Sequence, residues 1–190
     1  MRFKSFSDFL FEDGGPKKFG CAMVYFDMPS LAAFHRIIEK DDVFSDADGG
    51  KGLETEPHIT LLFGLHDDVS DDDVLSKSMP AEPSSIILSN VSVFENDGFD
   101  VLKFDADAEW LHDVNAKLAD LPHTNKYPDY HPHCTVGYLN AGAGAKYAAM
   151  LKGVSVSVSP DKIVYSKPDG SKPERQIAHE LTDIKVLRKV

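Results

Sequence analysis

The sequence predicts an α+β fold built on antiparallel sheets. Segments with strand-like and helix-like apolar spacing alternate along the chain. Two of the predicted strands are joined at Asn96-Asp97-Gly98, a strong signal for a tight hairpin. The pattern contains no long series of strand–helix–strand units, which argues against a doubly wound parallel sheet.

The first part of the chain is predicted to hold an N-terminal arm, then two strands and two helices. Residues 1–18 carry phenylalanines at helix-like spacing and then a Gly-Gly-Pro break, so we interpret them as an amphipathic arm and linker. Residues 19–190 are predicted to form a single domain. Its first elements are a buried strand, a helix opened by Pro29, a mobile Asp/Gly-rich loop, a second strand and a short helix, at 20–26, 29–40, 41–56, 58–65 and 71–77.

The second part of the chain is predicted to hold the hairpin and the elements that follow it. The hairpin strands are succeeded by an amphipathic helix, a loop rich in proline and tyrosine, a strand and a helix of small residues. Three more strands end the domain. The predicted ranges are 85–94 and 99–105 for the hairpin, 107–121 for the helix, 122–132 for the loop, 133–139 for the strand, 142–152 for the second helix, and 154–158, 162–166 and 177–186 for the last strands.

The composition narrows the classes of protein to consider. Hydrophobic residues make up 42% of the chain and charged residues 27%, as in ordinary globular proteins. No apolar run is long enough to span a bilayer, and the N-terminus lacks a secretory signal. Cys21 and Cys134 form no framework, so we expect a reduced, cytoplasmic chain. The net charge of −11 argues against a groove for long nucleic acid, although a small anionic substrate is compatible with it.

A repeated Pro-His-x-Thr motif is the feature that indicates chemistry. The motif at 57–60 aligns with the one at 132–135, and the residues after each also match in character. In a strand, residues i and i+2 point to one face. His58 therefore shares a face with Thr60, and His133 shares a face with Thr135. If the two strands lie side by side in related lobes, two imidazoles and two hydroxyls converge.

These four side chains suit displacement at phosphorus. Histidine titrates near neutrality, so one imidazole can accept a proton from the attacking oxygen while the other donates one to the departing oxygen. Threonine hydroxyls can donate to the non-bridging oxygens, where charge builds up. The sequence thus predicts a phosphodiesterase that needs no metal and no cofactor, with catalytic residues His58, Thr60, His133 and Thr135.

A zinc site is the chemical alternative. His131 and His133 lie at i and i+2 and could share a face, with His58 as a third imidazole. Nothing else nearby has ligand spacing, and a metal would not explain the threonines. The pattern therefore favours the metal-independent interpretation.

At these residues the sequence resembles the 2H phosphoesterase superfamily, which is named for two H-x-[ST]-x motifs. The resemblance covers most of residues 19–167. It implies a bilobal 2H phosphoesterase-like fold, with two pseudo-symmetric antiparallel sheets flanked by helices and a central cleft. It also implies metal-independent cleavage of phosphodiesters, with His58 and His133 as the acid/base pair and Thr60 and Thr135 as phosphate-binding residues.

Three branches of the superfamily compete. RNA 2′,3′-cyclic phosphodiesterases, often labelled 2′-5′ RNA ligases, act on RNA ends, and a second branch opens small cyclic phosphates. The third is the phage anti-CBASS phosphodiesterase, which destroys cyclic oligonucleotide signals. Residues 2–10 resemble the opening of several tailed-phage proteins, and residues 56–65 resemble the first motif of this branch. The acidic charge suits a small substrate better than RNA. We therefore expect a cyclic di- or trinucleotide as the partner, in the host cytoplasm if the chain is phage-encoded.

Four residues near the motifs are candidates for contacts with the substrate. Tyr25 precedes the long loop and could stack on a base, and Tyr138 follows it as a second candidate. Lys162 and Tyr165, on the strand after the second motif, could reach a phosphate or a base. Two further interpretations stay open: a non-catalytic sponge that sequesters a cyclic nucleotide, and a structural virion protein addressed by the arm. The sequence leaves open which histidine is the acid, whether water or a 2′-hydroxyl attacks, and the oligomeric state.

Overall fold

The computed structural model describes residues 19–45, 51–124 and 129–178. The predicted arm at 1–18 lies outside these ranges. So does the predicted last strand at 177–186, apart from its first two residues, which belong to no strand. No helix in these ranges is long and apolar enough to cross a membrane.

Eight strands and four α-helices make up the described residues. The strands are β1 Gly20–Phe26, β2 His58–Leu65, β3 Ile86–Glu95, β4 Phe99–Asp107, β5 His133–Asn140, β6 Val156–Val158, β7 Pro160–Ser166 and β8 Glu174–Gln176. The helices are α1 Leu31–Ile37, α2 Asp71–Lys77, α3 Glu109–Leu118 and α4 Gly144–Met150, with a 3-10 turn at Lys40–Asp42.

Several predicted elements differ in their boundaries or contacts from those in the structure. α1 stops at Ile37 because Ile38 has an extended backbone, with φ −85° and ψ 121°. α3 begins two residues later than predicted because β4 continues to Asp107, which still pairs with Ile87. The loop predicted at 41–56 forms isolated bridges to β5 through Val43 and Leu53, so its described parts are held against the sheet.

All strands join one antiparallel sheet in the order β6-β3-β4-β5-β2-β1-β7-β8. The antiparallel α+β fold predicted from the sequence is confirmed. The two predicted sheets are two four-stranded halves of this sheet, and we call β2-β1-β7-β8 the first half and β5-β4-β3-β6 the second half. They meet where Ile59 of β2 pairs with Cys134 of β5. Joining at this seam pairs two inner edges that would otherwise be left without partners.

The two halves repeat one arrangement, strand–helix–motif strand, as β1–α1–β2 and as β4–α3–β5. The strands that follow these units are exchanged between the halves. β3 comes after β2 in the chain but pairs with β4, and β7 comes after β5 but pairs with β1. This exchange links the halves through the backbone.

The helices and the main core lie on one face of the sheet. Ile59 and Leu61 of β2, and Cys134 and Val136 of β5, are fully buried in that core. Because side chains alternate along a strand, the histidines and threonines between them point to the opposite face. This opposite face carries the candidate site.

Candidate active site

The seam between the halves brings the four motif side chains together. Ile59 and Cys134 are antiparallel partners. Continuing that register by one residue in each direction sets His58 opposite Thr135 and Thr60 opposite His133. Directly opposite side chains in an antiparallel pair have Cβ atoms about 4.5–5.5 Å apart. Each imidazole therefore neighbours the hydroxyl of the other motif.

A bulge follows the threonine in both motif strands. Register along β2 skips Leu61, and register along β5 skips Val136. A bulged residue leaves the ladder, so its buried carbonyl needs another partner. Asn115 Nδ2 donates to the Leu61 carbonyl at 2.6 Å, and His35 Nε2 donates to the Val136 carbonyl at 3.1 Å.

These two hydrogen bonds cross between the repeated units. His35 lies on α1 and contacts β5, whereas Asn115 lies on α3 and contacts β2. Each helix therefore holds the motif strand of the other unit. The sequence offers no local signal for this, since the partners are about a hundred and about fifty residues apart.

Both histidines have the same hydrogen-bonded tautomer. His58 Nδ1 lies 2.8 Å from the Glu56 carbonyl, and His133 Nδ1 lies 2.9 Å from the His131 carbonyl. A carbonyl oxygen can only accept, so Nδ1 carries the hydrogen in each ring. Nε2 of each imidazole is then the atom that exchanges a proton with a ligand.

An aromatic ring packs against each motif imidazole. Tyr25 stacks on His58 at 5.2 Å between ring centroids, and Phe94 meets His133 edge-on at 5.1 Å. Tyr25 stacks on a histidine in the structure, and its stacking on a base stays a prediction. Burial, with a smaller contribution from the charge of Glu56, raises the pKa of Tyr25 to about 12, so the phenol stays protonated. Phe94 was not singled out from the sequence.

The electrostatic surroundings of His133 favour its neutral form. Burial, with smaller contributions from the charges of Lys103 and His58, lowers the pKa of His133 from 6.5 to about 4. Its bond to the His131 carbonyl and the charge of Asp105 act in the opposite direction but are outweighed. At neutral pH this imidazole is uncharged and can accept a proton.

His58 has a different neighbour. Glu54 Oε2 lies 3.9 Å from its Nδ1 atom, so a protonated His58 has a carboxylate partner. The other oxygen of Glu54 is fixed by the N–H groups of Thr55 and Glu56, at 2.8 and 2.9 Å. The two imidazoles thus lie in unlike surroundings, one beside a carboxylate and the other close to an ammonium.

That ammonium belongs to Lys103, which the sequence analysis missed. On β4, Lys103 lies opposite Thr135 and Asp105 lies opposite His133, and the two side chains form an ion pair. The signal that could have revealed it is a lysine inside the strand Phe99–Asp107, where most neighbours are apolar. In the first half, the equivalent positions beside Thr60 and His58 hold Met23 and Tyr25.

The remaining predicted contact residues divide between the two faces. Lys162 pairs with Tyr25 in register and shares the site face, where it forms an ion pair with Glu174 at 2.7 Å. Tyr138 also lies on that face, opposite Val101. Tyr165 is not brought to the site. It pairs with Ala22, one residue out of phase with Met23, and its ring is fully buried in the core among the helices.

Loop segments hold the motif strands where β2 and β5 diverge. Tyr138 N donates to the Gly52 carbonyl at 2.8 Å, and Glu54 N donates to the Val136 carbonyl at 3.0 Å. On the other side of the seam, the Tyr130 hydroxyl donates to the Thr60 carbonyl at 2.9 Å. These contacts fix the backbone beside the motif side chains.

The alternative zinc site is not assembled in the part of the chain that the structure describes. No group of three or more His, Cys, Asp or Glu side chains there could hold a metal ion. The contact that His131 makes with His133 is through its backbone carbonyl, not through its imidazole.

The family model of the 2′-5′ RNA ligase superfamily matches residues 29–159, a range that contains both motifs. The chain belongs to this superfamily. Among solved structures, Kluyveromyces marxianus Usb1 has a similar fold, with a TM-score of 0.55 and 9% identity over 84% of this chain and 98% of that chain. The same protein with uridine monophosphate gives a TM-score of 0.52 and 10% identity, over 84% and 99% of the two chains. No curated protein matches the sequence.

Proposed function

We propose that this member of the superfamily is a metal-independent phosphodiesterase that cleaves small cyclic oligonucleotides. The observation that carries the proposal is the paired motif at the seam, where each imidazole is anchored through Nδ1 and neighbours a hydroxyl of the other motif. Two imidazoles with free Nε2 atoms can move the two protons that displacement at phosphorus requires.

The unlike surroundings of the histidines support different roles for them in the proposed reaction. His133 is neutral at pH 7, so its Nε2 accepts the proton of the attacking hydroxyl as the new P–O bond forms. His58, whose Nδ1 lies 3.9 Å from Glu54 Oε2, is the proposed acid and donates from Nε2 to the departing oxygen as the old P–O bond breaks. Thr60 and Thr135 donate to the non-bridging oxygens, whose negative charge increases in the transition state.

The charge of the protein supports a small substrate. A net charge of −11 repels a long polyanion, whereas a cyclic di- or trinucleotide presents only two or three phosphates. In a phage-infected cell such an enzyme would remove the cyclic oligonucleotides that signal CBASS immunity in the host cytoplasm. The second candidate is a phosphodiesterase acting on 2′,3′-cyclic phosphate ends of RNA, and membership of the 2′-5′ RNA ligase superfamily is compatible with either candidate.

One panel of substrates tests the proposal. The protein is incubated with cyclic dinucleotides, cyclic trinucleotides, 2′,3′-cyclic mononucleotides and linear RNA, with and without EDTA, and products are identified by mass. We expect cleavage of a cyclic oligonucleotide that EDTA does not abolish and that His58→Ala or His133→Ala does abolish. His66→Ala is the matched control, because His66 bonds to Thr124 away from the seam, and it should keep full activity.

Three outcomes contradict parts of the proposal. Full activity in either seam variant would exclude acid/base catalysis by the pair. Loss of activity in EDTA with recovery on adding zinc would establish a metal mechanism. Recovery of the intact cyclic ligand after heat denaturation would show that the protein is a sponge.

A further inference from the structure

Lys103 lies on the site face beside the predicted phosphate-binding threonine. It is the register partner of Thr135 on β4, and Asp105, two residues on, is the partner of His133. Its ammonium lies 4.6 Å from the centre of the Phe94 ring, and that ring contacts His133. The Lys103 side chain is therefore part of the wall that surrounds His133 and Thr135.

The fold does not need a charge at this position. Lys103 is only 6% exposed, and burying an ammonium is unfavourable unless it is paired. The equivalent position in the first half, beside Thr60, holds Met23, which is 5% exposed. An unbranched apolar side chain thus fills the same place in the repeated unit, so the ammonium of Lys103 serves something other than packing.

The ion pair between Lys103 and Asp105 can open to let an anionic ligand take the place of the Asp105 carboxylate. Asp105 has a side chain that is 47% exposed, so water can solvate its carboxylate if the ion pair opens. The ammonium itself is largely screened from water, which strengthens its attraction for an anion in the site. A phosphate held by Thr135 would place a non-bridging oxygen on the side of Lys103, since the two side chains are cross-strand neighbours.

We propose that Lys103 is the cationic phosphate-binding residue of the site. In the substrate complex its ammonium contacts a non-bridging oxygen of the phosphodiester group bound by Thr135, in exchange for part of its contact with Asp105. This places the substrate phosphate toward the second half of the sheet, next to His133. The inference rests on the proposed phosphodiesterase function and adds a residue that its motifs do not contain.

Calorimetric titration with inorganic phosphate at pH 7.5 and low salt tests the proposal. Lys103→Met copies the residue of the first half and should weaken phosphate binding about tenfold or more, the usual effect of removing a charged hydrogen-bond donor. Asp105→Asn removes the competing carboxylate and should tighten binding. Lys77→Met is the matched control, because Lys77 forms a similar Lys–Asp pair with Asp120 at 3.1 Å on the surface.

The opposite directions expected for the two site variants distinguish anion binding from a structural role, which would weaken binding in both. Lys103→Arg, which keeps the charge, should bind phosphate more tightly than Lys103→Met. Unchanged affinity in a folded Lys103→Met protein that still cleaves phosphodiesters would overturn this inference alone. A wild-type protein that neither binds phosphate nor cleaves any substrate of the panel would overturn the proposed function and this inference with it.

Discussion

Acidification should destabilise this protein through His133. Its pKa falls from 6.5 in the unfolded chain to about 4 in the folded protein, so the folded state resists protonation. Above pH 6.5 neither state binds the proton, and His133 contributes nothing to the pH dependence. Below pH 6.5 the unfolded chain takes up a proton that the folded protein cannot, until the pH falls to about 4.

The size of the effect follows from the pH interval. When the pH falls from 7.5 to 5.5, protonation of His133 stabilises the unfolded chain relative to the folded protein. The stabilisation corresponds to about one pH unit below the pKa of 6.5, or at most about 1.4 kcal/mol, and it is less where solvent screens the half-buried ring. The free energy of unfolding should fall by that amount. His133→Gln, which does not titrate, should lack this part of the decrease.

Urea unfolding at the two pH values measures the difference between the wild type and His133→Gln. Other titrating groups are common to both proteins, so their contributions cancel in the comparison. A wild type that loses no more stability than His133→Gln would show that His133 is not held neutral. The base role assigned to it would then lose its support.

Three further results are expected. Thr135→Val should lower kcat about 10²–10³-fold, the usual cost of losing one donor to a developing oxyanion, and an unchanged kcat in steady-state assays would exclude its role. Asn115→Ala leaves the bulge carbonyl of β2 without its donor and should cost about 1–3 kcal/mol in urea unfolding, whereas Asn140→Ala, an exposed control, should cost less. Gly64→Ala combines a φ of +99° with a Cβ 2.1 Å from a backbone oxygen of the facing loop, so its thermal midpoint should fall further than that of Gly98→Ala, which has φ +95° and open space. Equal midpoints for the two glycine variants would show that the loop yields to the methyl group.

The repeat of the fold gives the two motifs the same backbone geometry, but the side chains around the two histidines differ. Both motif strands carry the same bulge and the same Nδ1 hydrogen bond. The differences come from the neighbouring strands. Met23 and Tyr25 on β1 hold the positions that Lys103 and Asp105 hold on β4. A duplicated scaffold thus holds two similar imidazoles, and the side chains beside them give each a different electrostatic environment.

The sequence alone determined the antiparallel α+β class, the positions of most of the described strands other than β8, and the shared face of each histidine and its threonine. These follow from side-chain alternation and turn residues, which act within a few positions along the chain. The alternation within β2 and β5 was enough to place His58 with Thr60 and His133 with Thr135 on common faces.

Only the tertiary structure decided which other side chains join them. Lys162 and Tyr165 lie three residues apart on β7, so alternation places them on opposite faces, but only the register of β7 against β1 decides that the first lies on the site face and the second in the core. Lys103 became a site residue because β4 pairs with β5, and His58 differs from His133 because Glu54 and Lys103 lie beside different rings. Such neighbours depend on pairing between distant segments, and alternation within one strand carries no information about the strand next to it.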